Sequence, residues 1–113
     1  MAYSESLAKR IRQALASTSG VAEKKMFGGL CFLLHGNMFV GIVKDDLMVR
    51  VGPESYDESL CRPHARPMDF TGRPMKGYVF VGPAGCRTTT AVAGWIERGV
   101  EFVSQLPRKN RSR

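Results

Sequence analysis

The chain lacks most of the residues and patterns from which small proteins build chemistry. Its 113 residues hold three cysteines, Cys31, Cys61 and Cys86, an odd number with no Cys-x-x-Cys pair. That excludes a secreted disulfide framework and a ribbon-type zinc site, and fits a reducing cytoplasm. No apolar run approaches the roughly 20 residues of a membrane span. The opening Met1-Ala2-Tyr3-Ser4-Glu5-Ser6 lacks the basic and apolar regions of an export signal. Gly28-Gly29 stands without the spacing of a phosphate loop, and Gly82-Pro83-Ala84-Gly85 without the dinucleotide pattern. Either histidine, His35 or His64, could pair with any of the cysteines for nucleophilic catalysis, and the sequence gives no reason to choose. Cys31 and His35 are four apart on a predicted strand, about 13 Å, too far to share a metal ion. Cys61, His64 and Asp57 approach one another at a helix end, but Pro63 interrupts that helix and no fourth ligand is apparent. Cys31 sits between Leu30 and Phe32, where apolar surroundings raise a thiol pKa and make it a small core residue. No catalytic set, cofactor or metal is expected.

What remains is an ordinary globular composition. The apolar fraction is 43% and the charged fraction 24%, enough for one domain that buries about two thirds of its unfolded surface. Four of the seven net positive charges come from Arg108, Lys109, Arg111 and Arg113. Residues 108–113 therefore read as a basic disordered tail, and residues 1–107 as the domain. The tail carries no interleaved aromatics, so it resembles a solvated terminus more than a single-strand binding surface.

Leu7, Ile11, Ala14 and Leu15 recur at helical spacing between Ser4 and Gly20 and predict a first amphipathic helix. Four β-type runs follow, Ala22 to Phe27, Leu30 to His35, Met38 to Lys44 and Leu47 to Val51. Gly36-Asn37 and Asp45-Asp46 are the expected two-residue hairpin loops. Gly52-Pro53-Glu54 reads as a helix start closed by Arg62-Pro63. Residues 64–74 predict an ordered loop or a short edge strand around Met68-Asp69-Phe70, before a strand at Lys76 to Val81. Val92, Trp95, Ile96, Gly99, Phe102, Val103 and Leu106 form a last helical stripe, entered at Thr88, Thr89 or Thr90 and stopped by Pro107. The fold class is α+β: a two-layer, mainly antiparallel sheet of five to six strands with helices on one face.

Leu30-Cys31-Phe32-Leu33-Leu34 and Met38-Phe39-Val40-Gly41-Ile42-Val43 are apolar at both parities, which a sheet with one wet face would not be. The second face is therefore expected to be covered, by a second copy or a partner protein, or else by loop 64–74 folding over it. The basic side chains on or near the sheet are Lys24, Lys25, Arg50, Arg66, Arg73 and Lys76. Met48 and Arg50 share a parity opposite Leu47, Val49 and Val51, which puts Arg50 on the face that the helices leave. The candidate interaction surface comprises Lys24, Lys25, Met48, Arg50 and Lys76, with Arg108, Lys109, Arg111 and Arg113 of the tail.

Lys25-Met26-Phe27-Gly28-Gly29, then Gly41, then Leu47-Met48-Val49-Arg50-Val51, then Pro67-Met68 and Met75-Lys76-Gly77-Tyr78, together resemble the N-terminal domain of the TfoX (Sxy) family. These are bacterial regulators of natural competence, and the likeness runs from about Leu7 to Leu106. The resemblance implies an α-β-β-β-α-β-β-α type layout and favours Met68-Asp69-Phe70 as a short strand. Competence regulators of the family carry a second domain and act with a transcription activator, so the chain is expected to be a stand-alone N-terminal module. The family pattern contains no catalytic residues. The implied function is a non-enzymatic, cytoplasmic protein-interaction module in transcription regulation, as a homodimer or with a protein partner. The alternative is a nucleic-acid-associated accessory protein that binds weakly and without sequence preference through the tail and surface lysines.

Overall fold

The computed structural model describes residues 4–26, 29–69 and 74–106. Helix α1 (Glu5–Ala14) is followed by strands β1 (Val21–Met26), β2 (Gly29–Leu34), β3 (Asn37–Val43) and β4 (Asp46–Arg50). The short helix α2 (Tyr56–Leu60), strands β5 (Ala65–Asp69) and β6 (Pro74–Val81), a 3-10 turn (Pro83–Gly85) and helix α3 (Thr89–Val103) complete the chain. The six strands form one antiparallel sheet in the order β1-β2-β3-β4-β6-β5. The α+β class and the element order predicted from sequence are those observed.

Each long helix begins on a side-chain cap. Ser4 Oγ accepts from the Leu7 amide at 3.2 Å, and Thr88 Oγ1 from the Ala91 amide at 3.0 Å, satisfying donors that the first helical turn leaves open. The two helices pack on each other, and α3 also lies on β3 and β4. Gly99 permits that approach, since a Cβ there would stand 3.0 Å from the Phe39 carbonyl oxygen. Phe32, Phe39, Ile42, Leu47 and Val49 fill the space beneath, each no more than 1% exposed. Burying a side chain of this size contributes about 1.5–3 kcal/mol.

Strand β3 is apolar on both faces, and a bulge adds one more residue to the core. A bulge where Phe32 pairs with Val40 but Leu33 with Met38 leaves Phe39 as the extra residue, so Phe39 and Val40 both enter the core. Beyond the bulge, alternation resumes.

Several boundaries differ from the sequence expectations. The first hairpin turns at His35-Gly36, not Gly36-Asn37: both residues have positive φ (50° and 87°), while Asn37 is buried and pairs with Leu34. The second turns at Lys44-Asp45, with Lys44 at φ 57°, because Asp46 is already paired with Val43. Helix α2 starts at Tyr56 and not at Pro53. The amides of Val51 and Gly52 both donate to the Gly77 carbonyl, and Gly52 at φ 87° turns the chain away from a helical start. Residues 65–69 pair with β6 as an edge strand, so they widen the sheet and do not fold over its second face. Phe70, at the end of the expected short strand, lies outside the described residues, as do Arg73 and the tail positions Arg108, Lys109, Arg111 and Arg113.

Candidate interaction face

The side of the sheet away from α1 and α3 carries its own apolar cluster. Cys31, Met48 and Phe80 are buried there, with Met38, Val43 and Tyr78 packed around them. Strand pairing sets these residues in register. Lys24 pairs with Cys31, Cys31 with Gly41, Gly41 with Met48, Met48 with Phe80, and Phe80 with Arg66. One row thus crosses all six strands, with a cation at each end and sulfur and aromatic groups between. Five strand spacings of about 4.8 Å give it a length of about 24 Å.

Gly41 is the narrow point of the row. A Cβ there would lie 2.9 Å from Met48 Cε, 3.0 Å from the Leu30 carbonyl oxygen and 3.5 Å from Cys31 Sγ. The thioether of Met48 therefore lies across the glycine towards Cys31. Met adapts its shape to what contacts it, so this centre is deformable.

Arginines roof the cluster at the β6 side. The guanidinium of Arg66 lies 5.0 Å from the Phe80 ring centre and donates to Asp46 Oδ2 at 2.6 Å. Arg50 lies 5.7 Å from the Tyr78 ring and 5.2 Å from that of Phe102, and its Nη1 is 3.4 Å from the Met38 carbonyl oxygen. Lys24, Arg50 and Arg66 share the parity of this row, as does the carboxylate of Asp46.

The expected surface is thus brought together in part. Lys24, Met48 and Arg50 share the outer face. Lys25 pairs with Leu30 and so falls on the helix side, at the end of a core row through Ile42, Leu47 and Val81. Lys76 is in β6. Arg66, Tyr78 and Phe80 belong to the face and were not in the expected surface. The parity of β6 relative to β4 would have found Phe80, had the pairing of those strands been known.

Elsewhere the groups needed for chemistry are apart or occupied. His35 packs its ring over Gly20, away from Cys31. Burial raises the Cys31 thiol pKa and pushes that of Cys86 up to about 11, while Cys61 is exposed. Glu58 is held below the usual carboxylate range by Arg98, whose Nη1 lies 2.6 Å from it, and by Arg62. These contacts staple α2 to α3. A groove of about 490 Å³ between α1 and α3 is lined by Ala14, Leu15, Ala93, Ile96 and Val100, with Glu97 and Glu101 at its rim. That groove carries two carboxylates, whereas Lys24, Arg50 and Arg66 belong to strands of the sheet. No group of three or more His, Cys, Asp or Glu able to hold a metal ion occurs among the described residues, and no described helix is long and apolar enough to cross a membrane.

A family model described as the TfoX N-terminal domain matches residues 13–103. No match was found among curated proteins or among solved structures.

Proposed function

The chain belongs to the TfoX N-terminal domain family, and on that footing we propose that it is a non-enzymatic module of the cytoplasm that takes part in regulation by binding another protein through the outer face of its sheet. The supporting observation is the second cluster, Cys31, Met48 and Phe80, on the face that the long helices leave. Met38, Val43 and Tyr78, part-exposed over this cluster and edged by cations, have the makeup of a recognition surface: apolar at its centre and charged at its rim. Transcription or competence control is the regulatory setting that the family suggests.

The test is affinity capture from the source cell with the wild-type chain and with Met38→Glu and Val43→Glu. Both positions are part-exposed on the outer face, so the fold tolerates the change, as circular dichroism will verify. A protein retained by the wild type, resistant to nuclease and lost from both variants supports the proposal. Capture that nuclease abolishes, or that the variants leave unchanged, sinks it and favours nucleic acid or another surface.

A further inference from the structure

The proposal above leaves the partner's chemistry open, and the row from Lys24 to Arg66 narrows it. Resting on that proposal, we infer that the outer face takes an acidic amphipathic segment of a partner protein: an apolar stretch with carboxylates at both ends, about 24 Å apart. In helical form that is about 16 residues.

Three features of the row specify this occupant. Its ends are cationic, Lys24 on edge strand β1 and Arg66 on edge strand β5, and Arg50 adds a third cation at the end of the sheet, between Tyr78 and Phe102 of α3. Against these stands Asp46, already bound by Arg66. The surplus is positive, and an anionic partner offsets it. A guanidinium lying on a ring has lost much of its rotamer freedom beforehand, so less entropy is given up when it meets a carboxylate. Part-exposed Met38, Val43 and Tyr78 offer the apolar contact, and Met48 over Gly41 beside Cys31 beneath them is soft enough to adjust to an apolar stripe.

The same arrangement disfavours the other occupants. Stacking the row on its own copy in the same direction sets Lys24 against Lys24 and Arg66 against Arg66. Stacking it in the opposite direction sets Lys24 against Arg66. The first sets lysine against lysine, and like-charge juxtaposition across an interface is costly; the second sets Lys24 against the Arg66–Asp46 pair, which carries no net charge to attract it. A nucleic-acid strand carries a phosphate about every 3.4 Å and calls for a continuous cationic track. Here the two end cations stand about 24 Å apart, with Cys31, Gly41, Met48 and Phe80 between them in the row. On the helix side, the groove between α1 and α3 is rimmed by Glu97 and Glu101 and repels the same segment.

The experiment uses the full chain, isotope-labelled, titrated with three synthetic peptides of about 18 residues, a length set by the helical rise. All carry the same leucine stripe; their ends bear Glu, Gln or Lys. Expected are chemical-shift changes at Cys31, Gly41, Met48 and Phe80 with the Glu peptide, binding about tenfold weaker with Gln, and none with Lys. Lys24→Glu and Arg66→Gln should each weaken the Glu peptide about threefold. Lys24→Glu should also gain affinity for the Lys peptide, a readout that misfolding cannot produce. Lys25→Glu, on the opposite face, should leave the Glu peptide unaffected.

Equal binding of the Glu and Gln peptides on the outer face overturns the charge inference alone. Shifts confined to α1 and α3 overturn it together with the proposed use of this face. Concentration-dependent shifts of the outer face without peptide assign the face to a second copy. Stronger response to a DNA duplex than to the Glu peptide assigns it to nucleic acid.

Discussion

The Arg66 guanidinium lies 5.0 Å from the centre of the Phe80 ring, and Phe80 is only 8% exposed on a face that the long helices do not cover. Arg66 also holds Asp46 at 2.6 Å, so one side chain shields an aromatic and fixes an ion pair. Arg66→Ala should destabilise the domain by about 1 kcal/mol, the sum of a modest cation–π contact and a half-exposed salt bridge. Arg66→Lys should recover the ion pair but not the flat stacking, and fall between the two. Urea midpoints at unchanged m-value will measure both.

How far such contacts were legible in sequence depended on how local their causes are. The α1 and α3 stripes and the opposed directions of Met48 and Leu47 follow from periodicity within one element, and of the three candidate threonine caps the structure uses Thr88. The hairpin turns shifted by one residue because His35 and Lys44 take positive φ, which neighbouring Gly, Asn or Asp would adopt at lower cost. Arg66 was named among the basic side chains near the sheet, but its place on the outer face, and that of Phe80, escaped for a different reason. Their place beside Met48 requires β6 to lie between β4 and β5, a pairing of strands distant in sequence that no local signal encodes. The bulge that admits both Phe39 and Val40 to the core was likewise not legible locally, although β3 is apolar on both faces as its sequence suggests, with Met38 and Val43 on the outer one.

Gly41 and Met48 should behave as a coupled pair. Gly41→Ala places a methyl 2.9 Å from Met48 Cε and 3.0 Å from the Leu30 carbonyl oxygen. The backbone atom cannot retreat as the thioether can, so the cost should be about 1–3 kcal/mol. Met48→Ala alone should cost about 2 kcal/mol, but less in the Gly41→Ala background, where the methyl occupies part of the vacated space. A double-mutant cycle by thermal unfolding should show coupling of at least about 0.5 kcal/mol. Strict additivity would mean that Met48 does not lie over the glycine.

The three thiols should separate cleanly by reactivity. Cys61 is exposed, whereas Cys31 and Cys86 are buried with raised pKa, that of Cys86 up to about 11. At pH 8 the folded protein should consume one equivalent of a thiol reagent quickly, at Cys61, and the other two only on unfolding. A fast second equivalent, located by peptide mass, would show that the outer face opens at Cys31 or the core at Cys86.

Glu23 on β1 accepts two hydrogen bonds from Arg12 of α1, from Nε and Nη2, each at 2.9 Å, tying the edge strand to the helix layer. Arg12 holds the Glu23 carboxyl below its ordinary value of 4.5. A carboxylate whose folded pKa is depressed adds stability above its unfolded pKa and loses it as pH falls through the folded one. The side chains are 45% and 38% exposed, so solvent screening limits the gain to about 0.5 kcal/mol. Wild type should therefore exceed Glu23→Gln by about that amount at pH 6 to 7, with the difference shrinking below pH 4.5 and smaller in high salt. Arg12→Ala should remove the pH dependence of the difference, because the cation that depresses the carboxyl would be gone. Urea unfolding of the three proteins between pH 3 and 7 tests this, and an unchanged wild-type advantage at pH 3 would show that Glu23 stabilises the edge strand by something other than its charge.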